Sequence, residues 1–197
     1  MHVNIVVPFS TDGNIGRAYN RECERLPADG WVAFADYDIC VCNPWWHDVL
    51  VNAIQTHGQN GGLFTCFTNR IGCKLQIPAG VDKENHDMNY HWVRGATLWR
   101  NHGYKCVDCT DRGGRFSGMF LMTSRRAWEA VGGFKTEGLY HVDVDYYDRI
   151  KRAGMRTYLM AGLYVYHRYT RDTNTNLCAR PLFERRDDAV RAKGTGA

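Results

Sequence analysis

Asp36 and Asp38 stand two residues apart where the apolar run WVAFA ends. Two carboxylates so spaced at a strand end point into the crevice where α/β sheets bind ligands. Their oxygens suit a hard divalent cation and, through it, a diphosphate. A second acidic group, Asp143, Asp145 and Asp148, lies in VDVDYYDRIKRAG. There Val144, Tyr147, Ile150 and Lys151 recur at helical spacing, and Gly154 offers a stop. Asp143 and Asp145 then fall near a helix N-terminus, where the dipole favours carboxylates. The run that follows ends on His167. An acidic helix start and a strand-end histidine in one stretch can together hold an acid–base group and a metal ion. Each feature also has a plain structural reading. A D-x-D is a frequent solvated turn, and acids are common in the first turn of any helix.

Alternating strand and helix signals place these residues. Residues 3–8, VNIVVP, read as a buried first strand closed by a proline. The glycines of the loop after it have neither dinucleotide-fold nor P-loop spacing. Residues 16–25 read as a helix on which Arg17 and Asn20 are either an exposed face or contacts to a nucleotide phosphate. Further helices are expected at 47–57 and 89–101, with a strand at 63–67, a polar irregular stretch at 69–78 and a loop at 79–89. Trp99 is by default a core residue, with an aromatic platform for a sugar ring as the sharper alternative. His86 and His91, beside the loop, read first as surface residues. A short strand near Cys106 and a strand at 119–122 precede a helix at 124–131 closed by Gly132 and Gly133. Residues 155–167 form one or two strands. The expectation is an α/β fold: a single domain over 1–167 with a mainly parallel central sheet flanked by helices. Residues 168–197, rich in charge and poor in apolar residues, read as a C-terminal tail, partly wrapping the donor site and partly flexible.

At 197 residues the chain suits one domain, and with 44% hydrophobic residues it can build a core. A formal net charge of +4 permits an anionic ligand without demanding nucleic acid. Eight cysteines are scattered and no secretory leader stands before them, which points to a reducing, cytoplasmic setting with mostly buried thiols. Cys106 and Cys109 have half-zinc-site spacing, but Cys66 and Cys73 do not complete a common pattern, so free thiols are the preferred reading. No apolar run approaches the roughly 20 residues of a membrane span.

Several of these residues recur in a fixed order. They are Asp36-Tyr37-Asp38 with Pro44 and an aromatic pair behind it, Ser117-Gly118, Gly132-Gly133-Phe134, Asp143-Val144-Asp145 with Arg149, and Tyr166-His167. The pattern resembles GT-A fold inverting glycosyltransferases, most closely glycosyltransferase family 2, as a compact and trimmed member. The resemblance implies a GT-A-like (Rossmann-like) domain that moves a sugar from a nucleotide-diphosphate sugar, a UDP-sugar first among them, to a hydroxyl of a glycan or other acceptor, with inversion. It implies Mn2+ or Mg2+ at Asp36, Asp38 and His167, and Asp143 as general base. Donor contacts would come from Pro8, Phe9, Ser10, Arg17, Asn20, Asp36, Tyr37, Asp38 and Arg168. Acceptor contacts would come from Ser117, Gly118, Gly133, Asp145 and Trp99. One departure is Val142, where the family has Glu. Three alternatives stand beside this reading: a non-catalytic nucleotide- or glycan-binding module, a nucleotidyltransferase of similar architecture, and a transferase acting on modified DNA.

Overall fold

The computed structural model describes residues 2–137 and 141–168. The expected tail from 169 onward lies outside the described residues. The chain runs β1 (Val3–Val6), α1 (Ile15–Glu24), β2 (Trp31–Ala35), β3 (Ile39–Val41), α2 (Trp46–His57), β4 (Gly61–Thr68), α3 (Met88–His102), β5 (Cys106–Asp108), β6 (Phe120–Ser124), α4 (Arg125–Ala130), α5 (Val142–Arg152) and β7 (Arg156–His167), with a short 3-10 turn at Lys74–Gln76. The strands form one sheet in the order β1-β2-β6-β4-β7-β3, and β5 pairs with β7. β1, β2, β4 and β7 run one way. β6, β3 and β5 run against them, because β6 pairs antiparallel with β2 and β4, and β3 and β5 pair antiparallel with β7. The sheet is therefore mixed, and the expectation of a mainly parallel sheet holds only for the larger of two sets.

Strand side chains alternate between faces. Trp31, Ala33, Phe64, Cys66, Phe120 and Met122 enter one core with α2 residues Val49, Leu50 and Ile54. Val32, Phe34, Leu63 and Leu121 enter the opposite core with Tyr19 and Cys23 of α1, Ala127 of α4, and Tyr146, Tyr147 and Ile150 of α5. Both faces are thus covered, as an α/β layer arrangement requires. Ser124 caps α4 by accepting the Ala127 N–H at 3.1 Å. Behind α4 the backbone reverses through Gly132 and Gly133, with φ of 74° and 78°. A Cβ on Gly133 would lie 2.8 Å from the Asn20 Oδ1.

β7 agrees with expectation, while β1 and β3 differ from it: β1 is a sheet-edge strand with Ile5 exposed rather than a buried one. β3 is a three-residue strand inside a stretch dominated by turn residues, and it exists because Ile39, Cys40 and Val41 pair with His167, Tyr166 and Val165. β7 is a single strand. Its register against β4 jumps from Cys66↔Met160 to Phe67↔Tyr164, and the bulge around Gly162 lets its first half pair with β5 and its last residues with β3. Among the described residues, no helix is long and apolar enough to cross a membrane.

Candidate metal centre

The last residue of β2 is buried, and the Asp36 N–H donates to the Met119 carbonyl at 2.9 Å as the strand ends. A tight turn then carries Asp36 to Asp38 into β3. Pairing of Ile39 with His167 fixes that turn beside the end of β7, and the Arg168 N–H donates to the Asp38 carbonyl at 3.1 Å. Ligand-capable atoms of Asp36, Asp38 and His167 consequently lie within 4.8 Å of one another. His167 Nε2 is 3.2 Å from Asp38 Oδ1 and 3.9 Å from Asp36 Oδ2. Among the described residues this is the one group of three or more such side chains close enough to hold a metal ion.

The donor set fits a divalent cation. His167 Nδ1 is 3.1 Å from the Arg70 carbonyl, which only accepts, so Nδ1 carries the hydrogen. That leaves Nε2 turned to the carboxylates, the tautomer and orientation of a metal-ligating imidazole. An imidazole nitrogen and two carboxylates converging on one point suit positive charge between them. Burial first, then the charges of Asp38 and Asp143, push the Asp36 pKa up to about 6 against the pull of His167.

Asp143 stands close enough to this group to act on Asp36 electrostatically. It is the second residue of α5. Its Oδ1 accepts the Val144 N–H at 2.9 Å and its Oδ2 the Gly118 N–H at 2.8 Å. Gly118 suits this contact, since a Cβ there would come within 3.1 Å of the Asp143 Cβ. Phe9, Ser10 and Arg17 line a groove of about 190 Å³ together with Asp12 and Arg21. It follows β1, which is parallel to β2, so the groove and the D-x-D lie at the same end of the sheet. Within it Arg17 pairs with Asp12 at 2.7 Å. Tyr37 is three-quarters exposed between the two aspartates.

Other expected residues are placed elsewhere. Asn20 donates to the Phe134 carbonyl and accepts from the Phe134 N–H and Trp128 Nε1, all within 2.9 Å, so its amide is committed to the Gly133 turn rather than turned to a phosphate. Asp145 pairs with Arg149 at 2.6 Å, and Arg149 also donates to the Val131 and Gly133 carbonyls. Trp99 stacks on Trp45, with ring centroids 5.5 Å apart. His91 is fully buried, bonded to the Tyr164 hydroxyl and the Asn85 carbonyl, which corrects its reading as a surface residue, whereas His86 is exposed as expected and bonds to the Tyr166 hydroxyl. The cysteine quartet divides across the sheet: Cys66 and Cys106 pack on one face, Cys73 and Cys109 on the other. Burial raises all four thiols, Cys106 to about 11, so these are structural rather than reactive groups. Sequence reasoning missed the segment after β4, where the Arg70 carbonyl holds His167 and where Asn69 and Gln76 are fully buried. A polar stretch without periodicity gives no sign of burial. No protein-family model matches this chain, and no curated protein matches it in sequence.

Proposed function

We propose that the chain is a divalent-cation-dependent glycosyltransferase that uses a nucleotide-diphosphate sugar, a UDP-sugar first among candidates, and inverts the anomeric centre. The observation that carries this reading is the convergence of Asp36, Asp38 and His167 within 4.8 Å beside a second, separately held carboxylate, Asp143. A cation held by the first three, Mn2+ or Mg2+, would supply Lewis-acid stabilisation of a diphosphate leaving group. Asp143 accepts the proton of the acceptor hydroxyl as that oxygen bonds to the anomeric carbon. The bond from that carbon to the diphosphate breaks in the same displacement, and the electron pair leaves on the diphosphate oxygen. One base and one in-line displacement give inversion. The Gly118 and Val144 N–H groups orient the Asp143 carboxylate for this role. The groove behind β1, with Phe9, Ser10 and Arg17, takes the nucleoside end of the donor.

One observation favours a second reading, a nucleotide-binding module without turnover. Val142 stands where the resembling family carries Glu, and it is 3% exposed in the core beneath α5. A panel of nucleotide-diphosphate sugars, with Mn2+ or with EDTA, separates these readings. The expected result is cation-dependent release of a nucleoside diphosphate. Asp143→Asn should keep donor and cation affinity but lose about 10²–10⁴ in rate. Tight binding with no release would establish the module, and pyrophosphate released when a nucleoside triphosphate and a sugar 1-phosphate replace the panel would establish a nucleotidyltransferase.

A further inference from the structure

The segment that leaves β4 turns two buried amides back onto the site. Asn69 accepts the His167 backbone N–H at Oδ1 over 2.7 Å and donates from Nδ2 to the His167 carbonyl over 3.1 Å. Gln76 repeats the arrangement on Ser117. The Ser117 N–H reaches Oε1 at 2.7 Å, and Nε2 donates to the Ser117 carbonyl at 3.1 Å. In each case a side-chain amide stands in for the missing peptide of a neighbouring strand, offering one acceptor and one donor to a single residue.

The placement of the two is not equivalent. The ladder between β4 and β7 ends at Thr68↔Val165. Asn69 continues it with its side chain while the backbone departs, and that departure brings the Arg70 carbonyl to His167 Nδ1. The main chain of His167 and the rotation of its ring are thus both set from residues 69–70. Gln76 is anchored to β4 through Thr65 Oγ1 at 2.8 Å. The Ser117 it grips precedes Gly118, whose N–H holds Asp143. One short segment therefore reaches the cation side of the site with one amide and the proposed base with the other.

We propose that Asn69 and Gln76 are positioning residues, Asn69 for the cation ligand His167 and Gln76 for the Ser117–Gly118 turn that holds Asp143. The proposal rests on the roles assigned above to His167 and Asp143. Both amides are fully buried and lose the same kinds of bond on truncation. If they only supported the fold, truncating either would disturb both sides of the site alike. If each positions its own side, the effects separate.

Asn69→Ala and Gln76→Ala are compared by Mn2+ titration, by hydrogen exchange at the Gly118 amide and by sugar transfer. Asn69→Ala is expected to weaken Mn2+ binding about ten- to a hundredfold, the usual effect of losing an outer partner of a metal ligand. It should leave Gly118 protected. Gln76→Ala is expected to keep the parent's Mn2+ affinity, to expose the Gly118 amide to exchange and to slow transfer. Equal loss of Mn2+ affinity in both, or none in Asn69→Ala, overturns the proposal. Where a truncated chain does not fold, Asn69→Asp and Gln76→Glu keep the length and the accepting oxygen and lose the donor, and the same crossed pattern is required of them. If the parent binds Mn2+ but transfers no sugar from any donor, the reading of the reaction falls, while titration and exchange still decide on both amides. If the parent binds no Mn2+, the Asn69 role falls with the metal site, and Gly118 exchange decides on Gln76.

Discussion

Asp36 is the group through which pH should act on the candidate cation site. Its pKa of about 6 in the folded chain lies above the ordinary value of 3.8. Ionising it therefore costs folding stability, and without a cation the protein loses stability as pH rises from about 3.8 through about 6. Its side chain is 40% exposed, so solvent blunts the effect. A cation reverses the sign because it needs the ionised form. Mn2+ affinity should fall as pH drops through about 6. Asp36→Asn should bind Mn2+ weakly yet unfold at higher urea than the parent in EDTA at neutral pH. A less stable Asn variant, or Mn2+ affinity that ignores pH, would contradict the assignment. The three candidate ligand positions are legible in the sequence because they stand where the apolar runs of β2 and β7 end. Asn69 and Gln76 are not, because what buries them is contact with His167 and Ser117, far along the chain. Asn20 and Asp145 have the right residue types for ligand contacts, but their partners, Phe134, Trp128 and Arg149, are decided by packing.

At the scale of elements, Arg149 fixes how α5 meets the turn behind α4. It joins Asp145 on its own helix to the Val131 and Gly133 carbonyls, and so holds the helix start that carries Asp143. Arg149→Met removes these charge-assisted bonds and should cost on the order of 2 kcal/mol of stability in urea unfolding. Asp145→Asn removes one partly exposed pair and should cost about 0.5–1 kcal/mol. Neither should change Mn2+ affinity. If Asp145→Asn instead kept full stability and abolished transfer, the base would be Asp145 and α5 would be misread by two residues. The helices and longer strands are legible from periodicity and from their caps, such as Ser124 and the paired glycines. Strand direction is not, because it depends on which strands become neighbours: β6 inserts between β2 and β4 and reverses the local sense. β3 is too short for a period to show, and Gly162 inside β7 looks like a break until the bulge gives it a place.

For the whole molecule, the D-x-D turn matters beyond its ligands. β2 and β3 are consecutive in the chain, yet in the sheet β6, β4 and β7 lie between them. The turn therefore joins two strands that are not neighbours in the sheet, and His167 meets it from β7. A cation held by Asp36, Asp38 and His167 ties together strands from both sides of the sheet and should stabilise the whole cooperative unit rather than one loop. Ligand that binds only the folded chain adds about 2.7 kcal/mol at a hundredfold excess over Kd. For a domain of this size that corresponds to a Tm rise of about 2–4 °C per kcal/mol. Mn2+ alone should raise Tm, and a nucleoside diphosphate should raise it further only when Mn2+ is present, because the diphosphate is reached through the cation. His167→Ala should lose both increments, and Asp143→Asn should keep both, since the role proposed for Asp143 is on the acceptor and not on the diphosphate. A nucleoside diphosphate that stabilised the parent equally in EDTA would place its binding away from the cation cluster. Loss of both increments in Asp143→Asn would make that residue part of the ligand set rather than the base.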